Sequence, residues 1–229
     1  MRVRNIAHCI LKRTYTALFP PERIPFQTVD SMSLFPALYE REIVLGKLGW
    51  KWGDLDNEEK LIFLCSLARS GYTPIVEFGT FRGRTTYNLA LNSEREIVTI
   101  DIGDSVGQSV DVNANIDKHE YAQYKTGELF LDAADSIRNK IQLIIGDSTK
   151  LDLSHLYGKA GMVIVDGGHS YDVCKSDSEK ALRLVREGGV IIWDDYCFYW
   201  PGLKRALDEL SSTIKLYYLS KENMVVHIA

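Results

Sequence analysis

From residue 56 onward the chain alternates between two hydrophobic rhythms. Asp56 or Asn57 can cap a helix, Glu58 and Glu59 suit its first turn, and Leu61, Ile62, Leu64, Cys65, Leu67 and Ala68 recur at helical spacing up to Gly71. The pattern then changes to short, nearly continuous apolar runs: "PIVEF" (74–78), "IVTID" (97–101), "IQLIIG" (141–146), "MVIVD" (162–166) and "GVIIWDD" (189–195). Runs of this length without alternation predict strands buried on both faces of a parallel sheet. Helical stretches are predicted between them at 85–92, around 128–138, and over 172–186. The last two runs, "IKLYYLS" and "MVVHIA", are separated only by Lys221 to Asn223. That is too little chain for a parallel crossover, so they must form an antiparallel hairpin. The expected architecture is α/β, a mainly parallel sheet closed by a hairpin.

Two regions lack this rhythm. Residues 20–56 carry Pro20, Pro21, Pro25 and Pro36 and then "GKLGWKWGDLD", whose Trp50 and Trp52 fit either a lid over a ligand or a loop anchored on the core. Residues 102–127 are polar and weakly periodic, as expected of an insertion over a crevice. We therefore divide the chain into an N-terminal extension or lid, 1–56, that does not fold alone, and a domain over 57–229. The first segment, "MRVRNIAHCILKRTYTALF", pairs Arg2, Arg4, Lys12 and Arg13 with Ile6, Ile10, Leu11 and Leu18. It predicts an amphipathic helix packed on the domain or on a second subunit, as in a homodimer, in preference to one lying on a membrane surface.

Composition changes little in this picture. With 229 residues, 45% of them hydrophobic, there is material for one sizeable core. A net charge of -4 offers no footprint for nucleic acid. The four cysteines, Cys9, Cys65, Cys174 and Cys197, are scattered and make no CxxC pair, which signals neither a disulfide framework nor zinc and suits a reducing, cytoplasmic setting.

The candidate chemistry lies at the strand ends, where open parallel sheets bind their ligands. "VEFGTFRGRTT" sets Glu77, Gly79, Thr80 and Gly83 at the first strand-to-helix turn. Its spacing is GxxxG; the chain has neither the GxGxxG of a dinucleotide site nor a phosphate-binding GxxxxGK[ST] loop, so a cofactor without a pyrophosphate fits better. Asp101 ends the second predicted strand, where an acid can bind ribose hydroxyls, and Asp147 with Ser148 follows the third. Asp166 ends the fourth, in "VIVDGGHSYD", and Asp194 and Asp195 end the fifth.

With these residues the sequence resembles the class I S-adenosylmethionine-dependent methyltransferases, and among them the small O-methyltransferases, over about Ile75 to Tyr196; "VEFGTFRG" is similar to their ExGxxxG motif. The resemblance implies a Rossmann-like, doubly wound sheet of seven strands with the last one antiparallel. It also implies that Glu77 and Gly79, with Thr80 and Gly83 in the same loop, line the methionine part of the cofactor. Asp101 would take the ribose hydroxyls, and Asp147 and Ser148 would lie beside the adenine.

Asp166, Asp194 and Asp195 are expected to converge at one rim. Three unpaired carboxylates there repel, so a cation is required unless a lysine or arginine neutralises them. Oxygen ligands favour Mg2+, then Mn2+ or Ca2+. The set resembles the metal-dependent branch typified by catechol and caffeoyl-CoA O-methyltransferases, with an Asp-Asp pair where that branch has Asp-Asn. The "DGGH" turn is similar to that of the macrocin-type sugar O-methyltransferases. These resemblances imply that Asp166 and His169 act on a hydroxylated small-molecule acceptor, one whose vicinal diol can reach the metal. His169 would remove the proton before the oxygen attacks the sulfonium methyl. A histidine that merely hydrogen-bonds the turn and caps the next helix is the plainer alternative.

Trp193, Tyr196, Phe198, Tyr199 and Trp200 fit an acceptor pocket or ordinary packing equally. Other functions stay open: a non-catalytic S-adenosylmethionine-binding protein, an N-methyltransferase, or a hydroxylase-like tailoring enzyme on the same fold. A dehydrogenase is disfavoured by the missing GxGxxG, and a nucleic-acid methyltransferase by "VDGGH" where its NPPY motif would stand.

Overall fold

The computed structural model describes residues 24–49, 58–103 and 124–229. The basic N-terminal segment, Trp50, Trp52, the Asp56–Asn57 cap and most of the 102–127 insertion lie outside these residues.

Every apolar run forms a strand: β2 (Ile75–Phe78), β3 (Ile97–Asp101), β4 (Ile141–Ile145), β5 (Ala160–Val165) and β6 (Val185–Trp193), followed by the hairpin β7 (Tyr217–Leu219) and β8 (Met224–Ile228). All residues of β2, β3 and β5 are buried, as continuous apolar runs require. The sheet has eight strands, not seven. The extra one, β1 (Gln27–Val29), comes from the irregular N-terminal region and pairs in parallel with β7 at the edge. The order is β1-β7-β8-β6-β5-β2-β3-β4, with β8 antiparallel to both of its neighbours and the other pairings parallel.

Helices cover both faces. In chain order they are α1 (Ser31–Leu34), α2 (Glu58–Arg69), α3 (Arg84–Asn92), α4 (Glu128–Leu131), α5 (Asp135–Arg138), α6 (Tyr171–Leu184) and α7 (Pro201–Leu210). One core packs Leu61, Leu64 and Leu67 of α2 and Leu89 of α3 against Ile75, Ile97 and Ile164. The other packs Ala181 and Leu184 of α6 and Leu203 and Leu207 of α7 against Val76, Val163 and Ile191. The stretch expected as one helix near 128–138 is two short ones. Among the described residues no helix is long and apolar enough to cross a membrane.

From β2 the chain builds outward through β3 and β4 on one side, then returns to place β5 and β6 on the other. This reversal opens a crevice beyond the C-terminal ends of β2 and β5, where ligands of doubly wound sheets bind.

Candidate active site

The two walls of the crevice are in contact. Gly79 has φ +95, and a side chain there would begin 2.1 Å from the Asp166 carbonyl oxygen. Only glycine lets β2 leave the sheet this close to β5. The loop that follows is tied down by Asp101, whose Oδ2 accepts from the amides of Thr80 (2.9 Å) and Phe81 (2.8 Å) and whose Oδ1 accepts from Gly103 (2.8 Å). Asp101 thus shapes the glycine loop from the next strand. Gly83 starts α3 and lies under Phe130. The described end of the insertion packs here too: Gly127 donates to the Phe81 carbonyl, and the Arg82 guanidinium stacks on Tyr124.

Glu77 is buried beneath this loop. Its Oε2 accepts from Thr86 (2.5 Å) and Thr99 (2.6 Å), yet burial outweighs both bonds and pushes its carboxyl up to about 7. Asp147 behaves oppositely: Lys150 and Thr149 hold it, and its carboxyl falls to about 2. Ser148 is fixed through its carbonyl, which accepts from Lys180 of α6. Asp177 on the same helix, unnoticed in the sequence, is buried under this rim. Among the described residues neither of its oxygens finds a hydrogen bond of ordinary geometry, and burial pushes it up to about 6 although Ser148 and Lys180 pull the other way.

At the β5–β6 side the structure corrects one expectation. The three carboxylates are not unpaired, because Lys60, in the first turn of α2, lies fully buried with its Nζ 2.5 Å from Asp194 Oδ1 and 3.7 Å from Asp195 Oδ1. Asp194 is turned toward this ammonium, and the groups that offer ligand atoms within 4.8 Å of one another are Asp166, His169 and Asp195. The reason is electrostatic: an ammonium removed from water needs a carboxylate partner at contact distance. Lys60 was overlooked as part of a helix stripe it shares with Leu64 and Leu67; a lysine on an apolar stripe is the signal that points to it.

His169 packs flat on Trp200, ring centroids 4.2 Å apart. Its Nε2 is buried, 3.4 Å from Asp195 Oδ2, and makes no hydrogen bond among the described residues. The helix cap next to it is Ser170, whose hydroxyl accepts from the Val173 amide, so His169 does not cap α6. Asp195 reaches the site from left-handed backbone, φ 58. Burial first, then Asp194 and Asp195, push the Asp166 carboxyl well above the usual range. The aromatic segment divides. Trp193 is core and donates to Ser178 Oγ (2.8 Å), Tyr196 is buried, Trp200 holds His169, and Phe198 and Tyr199 are exposed.

Comparison with known proteins agrees with this geometry. The family described as "Methyltransferase domain" matches residues 76–196, more than half of the chain, and the chain belongs to it. The matched stretch runs from β2 past Asp195, so it contains the glycine loop and the carboxylate rim. No curated protein matches the sequence. Among solved structures, the fold is similar to CalS11, a TDP-rhamnose 3'-O-methyltransferase of calicheamicin biosynthesis, at 19% identity over 75% of this chain and 79% of that one (TM-score 0.52). The O-methyltransferase NovP is 16% identical over 74% and 79% (TM-score 0.55). TomG, an O-methyltransferase from Streptomyces achromogenes involved in tomaymycin synthesis and solved in complex with S-adenosylmethionine, is 16% identical over 94% of each chain (TM-score 0.51). At these identities the likeness establishes the fold, a Rossmann-like methyltransferase sheet.

Proposed function

We propose that the protein is an S-adenosylmethionine-dependent O-methyltransferase of small molecules, acting on a hydroxyl of a sugar or related metabolite with the help of a divalent cation. The observation that carries this reading is the buried Nε2 of His169, 3.4 Å from Asp195 Oδ2 and making no hydrogen bond among the described residues, at the crevice where Gly79 meets Asp166. An imidazole held by stacking beside a carboxylate is arranged to receive a proton. CalS11, which methylates a sugar hydroxyl, supports the acceptor class, and TomG supports the cofactor.

Glu77, Gly79, Thr80, Gly83, Asp101, Asp147 and Ser148 form the cofactor side, and bound S-adenosylmethionine supplies the methyl group. The donor set at the other side fits a cation: Asp166, Asp194, Asp195 and Lys60 together leave two negative charges, and Asp166 and Asp195 offer them as oxygen ligands. Oxygen ligands of this kind suit Mg2+ or Mn2+. A bound divalent cation supplies the field that acidifies the acceptor hydroxyl. His169 Nε2 takes the proton, and Asp195 Oδ2 stabilises the resulting imidazolium. The rigid crevice holds acceptor and cofactor together, an effect of roughly 7 to 11 kcal/mol in well-oriented systems.

The test measures S-adenosylhomocysteine formation with hydroxylated acceptors, and S-adenosylmethionine affinity alongside. His169→Ala is expected to lower turnover by about 10² to 10⁴ while leaving that affinity unchanged. Wild-type turnover in His169→Ala rules out the base, and full turnover in the presence of a chelator rules out the cation.

A further inference from the structure

The buried ammonium of Lys60 enters the methyl-transfer reading above only in its charge balance, yet it sits inside the carboxylate cluster. It contacts Asp194 at 2.5 Å and stands 3.7 Å from Asp195, which in turn faces His169 at 3.4 Å. Helix α2 therefore places a fixed positive charge where the sequence pattern demands a mobile one. We infer that Lys60 is a positioning residue that withdraws Asp194 from cation binding and weakens the hold of Asp166 and Asp195 on a divalent cation, so that the protein takes its ion loosely.

The physical argument has two parts. A carboxylate in contact with a buried ammonium cannot turn to a second cation without giving up the nearest compensation of the first, which is unfavourable. An ammonium close to a remaining ligand oxygen also repels any incoming cation, and in a partly desolvated site that repulsion is large compared with its value in water. Both effects lower divalent affinity while keeping Asp195 oriented toward His169. The inference rests on the proposed cation site but fails separately from it.

The experiment measures Mn2+ binding to the full chain by the loss of the free-ion electron paramagnetic resonance signal, without cofactor or acceptor. Lys60→Met removes the resident charge that Asp194 contacts and that stands beside Asp195, and it is expected to bind Mn2+ at least tenfold tighter than the wild type. A substitution that only damaged the fold would weaken binding, so a gain is diagnostic. Lys60→Met combined with Asp194→Leu replaces the ion pair by an apolar pair, which buried sites generally tolerate. This double variant is expected to return Mn2+ affinity to within threefold of the wild type. Unchanged or weaker binding in a folded Lys60→Met protein overturns the inference, as does loss of binding in the double variant, which would make Asp194 a ligand. Should the single variant not fold, the double variant decides alone. Binding by Lys60→Met with none by the wild type supports the role of Lys60 and refutes the resident cation of the proposed function.

Discussion

Asp195 illustrates how single residues set this site. A non-glycine residue at φ 58 stores strain that the surroundings must hold, and aspartate is among the few side chains that tolerate it. That backbone turn separates Asp194, which points to Lys60, from Asp195, which faces His169. Asparagine tolerates the same conformation, so Asp195→Asn is expected to keep its melting temperature within a few degrees and lose turnover at least a hundredfold. Turnover near the wild-type value would show that the charge of Asp195 is not used. Gly79 is constrained from the opposite direction, by space. With the Asp166 carbonyl 2.1 Å from where a Cβ would stand, Gly79→Ala must pry β2 from β5. Thermal shift by S-adenosylhomocysteine should vanish in that variant even where some folded protein survives.

At the scale of elements, legibility followed burial. Of the five parallel strands, β2, β3 and β5 were readable because both faces are covered, which leaves an uninterrupted apolar run; β4, partly exposed at the sheet edge, is apolar all the same, and the hairpin was readable because three residues cannot make a crossover. The edge strand β1 was not readable: "QTV" is short, half exposed, and owes its conformation to β7 alone. For the same reason residues 24–49 looked like an extension, although Phe35 and Leu38 are buried in the core and Phe35 packs on Phe63 and Tyr72. Phe35→Ala is expected to cost about 3 kcal/mol, read as a lower urea midpoint with unchanged slope. Near-wild-type stability would mean that this segment only rests on the domain. In the candidate site, the acids at strand ends and His169 were legible because their positions follow from topology. Lys60 and Asp177 were less so: the partner of Lys60, Asp194, is distant in sequence, and the burial of Asp177 follows only once its helix is laid on the sheet.

For the molecule as a whole, the raised carboxyls of Glu77, Asp177 and Asp166 make stability depend on pH in one direction. Glu77 moves from 4.5 to about 7 and Asp177 from 3.8 to about 6, both through burial. In the unfolded chain each loses its proton near its ordinary value, whereas the folded protein keeps it until pH 6 to 7. Between these limits the folded state binds more protons, so the stabilisation is full below about pH 4 and is lost as pH rises through the folded values. Each group is expected to remove about 3 kcal/mol by pH 8 relative to the acid side of its window. Asp147, held near 2 by Lys150 and Thr149, contributes with the opposite sign, but its window closes below pH 4 and leaves the neutral range to the raised carboxyls. Unfolding free energies from urea at pH 5, 6, 7 and 8 should therefore fall across the series. Glu77→Gln keeps an acceptor for the Thr86 and Thr99 hydroxyls and removes the titration, so its fall should be shallower by the Glu77 share. An identical slope in that variant would assign the dependence elsewhere, with Asp177→Asn as the next substitution to measure.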